Sequence, residues 1–404
     1  MININNKLHS FTKAITICKL IIKAGGEVRF IGGCIRDSIL NKQIADVDLA
    51  TNLLPQEVQN ILAANNLQYF TIGKEFGTIT AVVDQEQIEI TSLRKDLSCD
   101  GRHAKVEFTN SWEEDAQRRD FTINALSADL DGNIYDYFNG LADLKAKKVR
   151  FIGNSEDRIC EDYLRILRFF RFSAYFANNI DEEGLASSIK YANQLKNISS
   201  TRIKNELSKI FIAPNSIAII KAMGPILEQV FPSNLRAIKS LEQLCLITKN
   251  FHYQPSSLVY FAILLYHCDQ AEYFIKNFAF TRLEQTILKK IISSKITSWD
   301  YASLKQYWCK YKDNFKEVIL VNLATQKEDL NLINSLLTSN LEKLFSQSIK
   351  ILPIKGSDIL KLGIEPGEDL GKLLIVADQI WYDLEFSITK DELLKKILPY
   401  VNKP

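Results

Sequence analysis

Two aspartates separated by one residue, Asp46 and Asp48, have the side chains and the spacing that metal-assisted chemistry needs. Side chains alternate between the faces of a β-strand, so carboxylates at positions i and i+2 point to the same side. Neighbouring carboxylates repel each other unless a cation lies between them, and Mg²⁺ commonly fills that place together with a phosphate. The pattern predicts a Mg²⁺ site on a strand over 46–50. A solvated turn is the alternative that this pattern alone leaves open.

A glycine pair, Gly32-Gly33, comes shortly before these aspartates and follows a short apolar strand over 28–31. Glycine lacks a Cβ, so its backbone can approach a phosphate closely, and the N–H groups at the start of a helix favour an anion. The order of strand, glycine pair, helix and acidic strand therefore predicts a site for a nucleotide with its Mg²⁺.

Glu89 lies on a strand predicted over 87–92, which forms a hairpin with a strand over 78–83. Its neighbours on both sides are isoleucines, which face a core while the carboxylate faces away. If this strand adjoins the strand of the two aspartates, Glu89 completes a group of three carboxylates able to hold two metals for phosphoryl transfer. An exposed glutamate without a catalytic role fits the spacing equally well.

Two later segments carry arginines next to acidic residues. In the first, Arg118-Arg119-Asp120 is followed by an apolar stretch that contains Asn124. Adjacent guanidinium groups suit a triphosphate because each binds phosphate oxygens in a bidentate manner. A salt-bridged helix start on the surface would also explain the charges, but it leaves the polar Asn124 unexplained.

The second segment is predicted to lie on one helix over 159–177, where Asp162, Arg165 and Arg168 share a face and Arg171 follows. An ion pair at i,i+3 or i,i+4 spacing on a solvated helix is the simpler interpretation. Regular charged steps along one helix are nevertheless more than solubility requires.

The composition excludes several protein classes. The chain has 404 residues, 46% hydrophobic content and a net charge of +2, which predicts a multidomain globular protein. Its seven cysteines form no C-x-x-C pair, so we expect reduced thiols. No apolar run approaches the ~18 residues that a membrane span needs, so we expect a cytoplasmic protein without membrane attachment.

The residue pattern changes near position 141. Before it, short strands alternate with helices, including a helix from Ser10 to about Ala24 and one over 55–65; after it, apolar residues recur at helical spacing. The sequence therefore predicts an α+β protein with a small mixed β-sheet in its N-terminal part and helices beyond, interrupted at Lys355-Gly356 and over Gly363 to Gly371. The later helices are predicted at 200–212, 215–230, 255–267, 282–294, 313–325 and 328–346.

Taken in order, these motifs resemble the class II CCA-adding tRNA nucleotidyltransferases, which share a superfamily with bacterial poly(A) polymerases. Several independent motifs in family order make the resemblance specific over most of the chain. They are Gly32-Gly33-x-x-Arg36-Asp37 with Asp46-x-Asp48, Arg118-Arg119-Asp120-Phe121-Thr122-x-Asn124-Ala125, Asp136 to Asp143, Glu161-Asp162-x-x-Arg165-x-x-Arg168-x-x-Arg171-Phe172, Arg202-x-x-x-Glu206-Leu207 and Lys355-Gly356-x-Asp358.

The resemblance implies an enzyme that adds CCA to tRNA 3′ ends from CTP and ATP, with Mg²⁺ and without a nucleic-acid template. It implies a catalytic head over 1–140, a helical neck over 141–214, and an RNA-binding body over 215–346 and tail over 347–404. No obligate protein partner is expected. Asp46, Asp48 and Glu89 would be catalytic, and the first two would hold the metal. The expected nucleotide-binding residues are Gly32, Gly33, Arg36, Arg119, Asp120, Asn124, Asp162, Arg165, Arg168 and Arg171.

The resemblance also implies that Asp162 and Arg165, helped by two further arginines, act as an amino-acid template. Cytosine and adenine each present an amino donor beside an unprotonated ring nitrogen, which a carboxylate and a guanidinium can match. Uracil and guanine present the reverse order, at a cost of roughly 1–3 kcal/mol per mismatched contact. Exchanging the two residues is predicted to shift preference toward UTP and GTP.

Three alternatives remain open at this point. A poly(A) polymerase or a CC- or A-only tRNA nucleotidyltransferase would share most of these motifs, and an inactive RNA-binding relative would share the fold. The loop after Asp100-Gly101-Arg102, thought to help the switch from C to A, continues here as His103-Ala104 where the family usually has Arg and Pro.

Overall fold

The protein forms two compact units, residues 1–235 and 236–404, in a computed structural model. Among the described residues, the strands belong to the first unit, and helices occur in both units. The α+β class predicted from the sequence is confirmed. The predicted boundaries at 140, 214 and 346 stay predictions. The structure describes residues 4, 11–44, 46–71, 73–98, 105–232, 235–250, 253–326, 352–384 and 386–401.

A seven-stranded mixed sheet and a separate two-stranded sheet make up the β-structure of the described residues. In the larger sheet the strand order is β3-β4-β5-β2-β1-β8-β9, and only the β2–β5 pair is parallel. Strands β6 and β7 form the smaller sheet. The strands are β1 Val28–Ile31, β2 Asp48–Thr51, β3 Gln68–Phe70, β4 Thr78–Val83, β5 Glu86–Ser92, β6 Arg94–Ser98, β7 Lys105–Phe108, β8 Ser127–Ala128 and β9 Ile134–Tyr135.

The register of the central strands brings the predicted motifs to one end of the sheet. Asp48 lies opposite Ile31 of β1, the residue before the glycine pair, and opposite Glu89 of β5. The hairpin of β4 and β5 is confirmed, with its turn at Asp84 and Gln85. One prediction needs correction: β2 begins at Asp48, so Asp46 lies in the exposed segment before the strand.

The helices of the first unit follow the predicted apolar pattern, with ends shifted by one or two residues. A helix over 10–24 was expected, and the described helix begins at Thr12; the helix expected over 55–65 ends at Ala64. These helices are α1 Thr12–Lys23, α2 Gly33–Ile39, α3 Pro55–Ala64, α4 Trp112–Gln117, α5 Gly140–Lys145, α6 Ser155–Glu161, α7 Leu164–Phe176, α8 Glu182–Lys190, α9 Ser200–Phe211, α10 Ser216–Ala222 and α11 Gly224–Val230.

The single helix predicted over 159–177 is wrong, because α6 and α7 are separated at Asp162. The backbone of Asp162 is extended, with φ −151° and ψ 108°. Its carboxylate accepts the backbone N–H of Leu164 at 3.0 Å, a local bond that competes with continuing the helix. The helix predicted over 215–230 is likewise two helices, because Pro225 stands in the first turn of the second one.

A cluster of phenylalanine rings fixes α7 against the segment that follows the arginine pair. The ring centroids of Phe121 and Phe151 lie 4.9 Å apart, and those of Phe151 and Phe169 lie 5.4 Å apart. Phe121 and Phe169 are fully buried. This packing holds the arginines of α7 close to Asp120, the residue before Phe121.

Every named element among the described residues of the second unit is a helix. The helices predicted at 255–267, 282–294 and 313–325 are confirmed with shorter ends, whereas the one predicted over 328–346 lies outside the described residues. The predicted break over Gly363 to Gly371 ends earlier, because α19 begins at Glu368. The helices are α12 Leu235–Asn250, α13 Ser257–Tyr266, α14 Ala271–Asn277, α15 Arg282–Ile292, α16 Tyr301–Tyr311, α17 Phe315–Thr325, α18 Gly356–Leu360, α19 Glu368–Asp383 and α20 Lys390–Val401.

The C-terminal helices have an apolar core of their own. Ile359 of α18, Trp381 of α19 and Ile397 of α20 are buried together in it. Among the described residues, no helix is both long and apolar enough to cross a lipid bilayer.

Candidate active site

One cavity of about 890 Å³ in the first unit collects the predicted site residues. Twelve of the thirteen line it, and the exception is Glu89. The cavity also has an excess of basic over acidic residues, which suits a polyphosphate. Its lining comprises Gly32, Gly33, Arg36, Asp37, Lys42, Gln43, Asp46, Asp48, Arg118, Arg119, Asp120, Asn124, Asp162, Leu164, Arg165, Arg168, Arg171, Phe172, Tyr175, Phe176, Arg202 and Lys209.

The glycine pair makes a tight turn from β1 into α2 at the cavity wall. Gly32 has a φ of +69°, a conformation that side-chain-bearing residues rarely adopt. A Cβ added there would lie 3.1 Å from Nη1 of Arg119, so the glycine also allows a guanidinium to approach the turn. The backbone N–H of Gly32 donates to the carbonyl of Leu126 at 3.0 Å, which ties the turn to the residue before β8.

The carboxylates of Asp46 and Asp48 have no hydrogen-bond or ion-pair partner among the residues that the structure describes. Burial raises the pKa of Asp48 to about 6, and the charges of Glu89 and Asp46 add to this while Arg119 opposes it. The two aspartates therefore repel each other across the cavity edge, as the sequence predicts for a site that needs a cation.

The condition set for Glu89 is met, since β5 adjoins β2, but the expected group of three carboxylates is not formed. No set of three or more His, Cys, Asp or Glu side chains in the described part of the chain lies close enough to hold a metal. Glu89 is exposed and outside the cavity lining. It acts on Asp48 through its charge, and its catalytic role stays a prediction.

A chain of hydrogen bonds crosses from α2 to α7. Arg36 Nη1 donates to Asn124 Oδ1 at 2.6 Å, Asn124 Nδ2 donates to Asp120 Oδ1 at 3.0 Å, and Arg168 Nε donates to Asp120 Oδ2 at 2.7 Å. Burial would raise the pKa of Asp120, but Arg168 and Asn124 outweigh it and hold that pKa below its ordinary value. The buried carboxylate is therefore an anchor for two cavity arginines.

This series of hydrogen bonds explains why a polar residue stands at position 124. The apolar stretch that follows Asp120 contains a short 3₁₀ turn over Thr122–Asn124. The turn aims the Asn124 amide at Arg36, a residue 88 positions away in the sequence. The alternative of a salt-bridged helix start on the surface is wrong for this segment, since Asp120 and Asn124 are each 7% exposed.

Asp162 and Arg165 both line the cavity, but each binds other partners. Asp162 Oδ2 accepts from Arg202 Nη2 at 2.6 Å. Arg165 forms an ion pair with Glu161, and its Nη2 donates to the carbonyl of Arg118 at 3.2 Å. The interpretation of an ion pair along one helix between Asp162 and Arg165 is therefore wrong, because Asp162 stands before α7 and is held from α9.

Both groups keep capacity for a ligand. Each oxygen of Asp162 accepts one hydrogen bond in the described structure, and a carboxylate oxygen can accept two. Arg165 has five N–H donors, and its hydrogen bonds within the described residues use Nη1 and one hydrogen of Nη2. Its Nε and one Nη2 hydrogen make no bond within the described residues.

Three residues at this wall were not predicted to have a role in the site. Arg202, seen only as part of a motif, holds Asp162. Phe176 lies under two cations, with Arg36 at 4.2 Å and Lys42 at 4.3 Å from its ring centroid. A basic residue after α2 and an aromatic residue at the end of α7 have no sequence signal that distinguishes them from ordinary surface and core positions.

Comparison with known proteins agrees with this arrangement. The family model described as "Poly A polymerase head domain" matches residues 28–150. A second model, "Probable RNA and SrmB- binding site of polymerase A", matches residues 179–233.

The similarity to individual proteins extends over almost the whole chain. The Mus musculus protein "CCA tRNA nucleotidyltransferase 1, mitochondrial" is 32% identical over 403 residues, 96% of this chain and 90% of that protein. The fold is similar to the Bacillus stearothermophilus CCA-adding enzyme solved with CTP (TM-score 0.67, 22% identity, 96% and 97% of the two chains). It is also similar to the Thermotoga maritima CCA-adding enzyme complexed with tRNA (TM-score 0.66, 20% identity, 96% and 94%). The chain belongs to the class II CCA-adding tRNA nucleotidyltransferase family.

Proposed function

We propose that this chain adds C, C and A to the 3′ end of tRNA, taking CTP and ATP as substrates and releasing pyrophosphate. The observation that carries the proposal is that a glycine turn, two unpaired carboxylates and the Asp162–Arg165 pair line the same cavity. A nucleotide held there can contact a phosphate-binding turn, a metal-binding edge and a base-reading pair at once. The whole-chain similarity to a CCA tRNA nucleotidyltransferase supports the same substrate.

We propose Asp46 and Asp48 as the ligands of Mg²⁺. Their fit rests on two hard oxygen donors that lack partners within the described residues, and the charge of Asp46 adds to the raised pKa of Asp48. Mg²⁺ is commonly bound by one or two carboxylates together with substrate phosphates and water, so a third protein carboxylate is not required. When bound, the metal neutralises charge on the phosphates and activates the attacking hydroxyl.

The basic residues of the cavity would bind and orient the triphosphate. Arg119 lies beside the glycine turn and its charge lowers the pKa of Asp48. Arg36 is fixed by Asn124 and by both oxygens of Asp37. Guanidinium groups that are already ordered bind a phosphate with less loss of rotamer freedom. These residues therefore set the position of the α-phosphate of the nucleotide relative to the attacking 3′-hydroxyl of the tRNA.

Asp162 and Arg165 would select the base. The free acceptor capacity of Asp162 matches the exocyclic amino group of cytosine or adenine, and the remaining Arg165 donors match the neighbouring ring nitrogen. Arg202 fixes the carboxylate of Asp162 in the described structure, so the acidic member of the Asp162–Arg165 pair is held in one position. Rigid donors and acceptors reject UTP and GTP because their polar groups would face like groups.

The test is to incubate the purified chain with a tRNA that ends at its discriminator base, with CTP, ATP or both, and to sequence the products. CCA ends that require both nucleotides and a divalent ion support the proposal. Long adenosine tails would indicate a poly(A) polymerase, and ends stopping at CC or gaining only A would indicate a specialist. Binding of tRNA without any extension would indicate an inactive RNA-binding protein.

Two finer points belong to the same proposal. Replacing Mg²⁺ by Mn²⁺ or Ca²⁺ in this assay identifies the metal that supports extension. The expected cytoplasmic location stays a prediction, since the mouse relative is named as mitochondrial; imaging of the tagged protein in its own cell tests it.

A further inference from the structure

A buried aspartate outside the predicted site, Asp115 of α4, holds both members of the arginine pair. It is 3% exposed and does not line the cavity. Its Oδ1 accepts from Arg118 Nε at 2.9 Å, and its Oδ2 accepts from Arg119 Nη2 at 3.3 Å. Two neighbouring arginines of the cavity wall therefore share one carboxylate that is itself kept from solvent.

Positive charge exceeds negative charge around Asp115. The backbone N–H of Arg94, the first residue of β6, donates to Asp115 Oδ1 at 3.3 Å. Burial and the charge of Arg118 lower the pKa of the Arg94 guanidinium to about 10, while Asp115 opposes this. Burial would raise the pKa of Asp115, but Arg118 and Arg119 hold it below its ordinary value. One carboxylate thus binds two guanidinium groups and acts on a third, that of Arg94, through its charge.

Arg119 connects this cluster to the reacting end of the cavity. While Nη2 binds Asp115, Nη1 donates to the carbonyl of Asn124 at 3.4 Å and lies beside Gly32. Its charge also lowers the pKa of Asp48. Because the guanidinium is planar and rigid, fixing one of its edges determines where the other edge points.

We propose that Asp115 is a positioning residue that orients Arg118 and Arg119 toward the nucleotide triphosphate. The inference rests on the proposed function and assigns a role to a residue outside the cavity lining. An arginine that is ordered before binding loses less rotamer freedom when the phosphate arrives. The negative charge of Asp115 has the opposite effect, since it weakens attraction for a polyanion. Orientation dominates because the carboxylate is surrounded by more positive than negative groups.

The first test compares CTP with CMP on the full-length Asp115→Asn variant by calorimetry in Mg²⁺. The substitution keeps the shape of the side chain and removes its charge. We expect the affinity for CTP to fall about tenfold, the size of a lost charge-assisted hydrogen bond. The affinity for CMP, which lacks the two outer phosphates, stays within about twofold.

A double-mutant cycle tests whether Asp115 acts through Arg119. In an Arg119→Lys background the tenfold loss caused by Asp115→Asn is expected to shrink to about twofold, since the group that it orients has been replaced. If the double variant loses CTP affinity by the product of the two single losses, the proposal is contradicted, because residues that act independently give additive free energies.

Two further variants separate orientation from charge and from general destabilisation. Asp115→Glu keeps the charge but displaces the carboxylate, so we expect a loss of CTP affinity here too; tighter CTP binding by Asp115→Asn with no change in Asp115→Glu overturns the proposal.

The matched control is Asp143→Asn. Asp143 is 1% exposed, pairs with Arg150 and accepts from Thr122 Oγ1 at 2.7 Å, yet it does not line the cavity.

The control is expected to lower the melting temperature while CTP affinity below that temperature stays within about twofold of the unaltered protein. A tenfold loss in the control as well would reduce Asp115 to a structural residue. Extension of tRNA by the unaltered protein is measured in parallel. If that extension is absent while CTP binding still depends on Asp115, the proposed function fails and the positioning role does not.

Discussion

The two sides of the cavity differ in whether their carboxylates have a hydrogen-bond or ion-pair partner. At the sheet end, Asp46 and Asp48 have no hydrogen-bond or ion-pair partner within the described residues. On the helical side, Asp120 is held by Arg168 and Asp162 by Arg202. An unpaired carboxylate in a partly buried place is costly and is kept where a cation binds, whereas a paired one is fixed in position. The pairing state therefore separates the acids that we propose as metal ligands from the acids that are fixed in position.

The largest effect is expected from the unpaired acids. Asp48→Asn removes a proposed metal ligand, and the loss of several kcal/mol of transition-state stabilisation corresponds to a roughly 10³-fold lower rate of CMP addition. Asp157→Asn on the exposed side of α6 is the control. Single-turnover extension of tRNA lacking CCA provides the measurement, and a rate within tenfold of the control would mean that Asp48 holds no essential metal.

The same substitution is expected to stabilise the metal-free protein. The pKa of Asp48 is raised from 3.8 to about 6, so the folded state holds the proton more tightly than the unfolded chain. The destabilisation of the folded state by ionised Asp48 is therefore absent below pH 3.8 and complete above about pH 6. At pH 8 with a chelator, Asp48→Asn should raise the free energy of unfolding by about 1–2 kcal/mol. A decrease measured by urea denaturation would show that the carboxylate is paired after all.

A smaller effect, on selectivity more than on rate, is expected from the paired acid Asp162. Asp162→Asn replaces an acceptor by a group that also donates, so the preference for CTP over UTP in kcat/KM should fall about 10- to 100-fold. This single change is cleaner than exchanging Asp162 with Arg165. After the exchange, the new arginine would face Arg202 and the new aspartate would face Glu161. Unchanged selectivity would remove Asp162 from base reading.

Arg202 tests whether pairing serves orientation. Arg202→Gln frees one oxygen of Asp162, so kcat/KM for CTP and for ATP should both fall about tenfold while the preference over UTP falls less. Arg150→Gln, which breaks an ion pair outside this cavity, is the control. Equal kcat/KM values in the Arg202 variant and the control would mean that Asp162 does not need its partner.

The sequence was most informative where chemistry is encoded locally. The strand before Gly32-Gly33, the hairpin that carries Glu89 and the position of Asp48 beside the turn all follow from alternation and glycine spacing over short distances. These features could be predicted because neighbouring residues determine them.

The partners of the charged residues could not be predicted in this way. Arg168 binds an aspartate 48 positions earlier, and Arg202 binds one 40 positions earlier, whereas spacing suggested pairs within a helix. The end of α6 at Asp162 was missed for a related reason. A carboxylate that accepts a backbone N–H two residues on breaks a helix that the apolar pattern would continue.

The smallest effect is expected from Phe176, whose ring contacts two cations through its π-face. Arg36 and Lys42 lie over its ring at 4.2 and 4.3 Å, contacts worth about 0.5–1 kcal/mol each at exposed sites. Phe176→Leu keeps an apolar side chain and removes the π-face, so KM for CTP should rise about two- to fivefold with kcat unchanged. Phe176→Trp should restore KM, because indole attracts cations more strongly than phenyl. Equal KM values for the two variants would show that the ring contributes packing alone, and that cations on the helical side depend on carboxylates for their position.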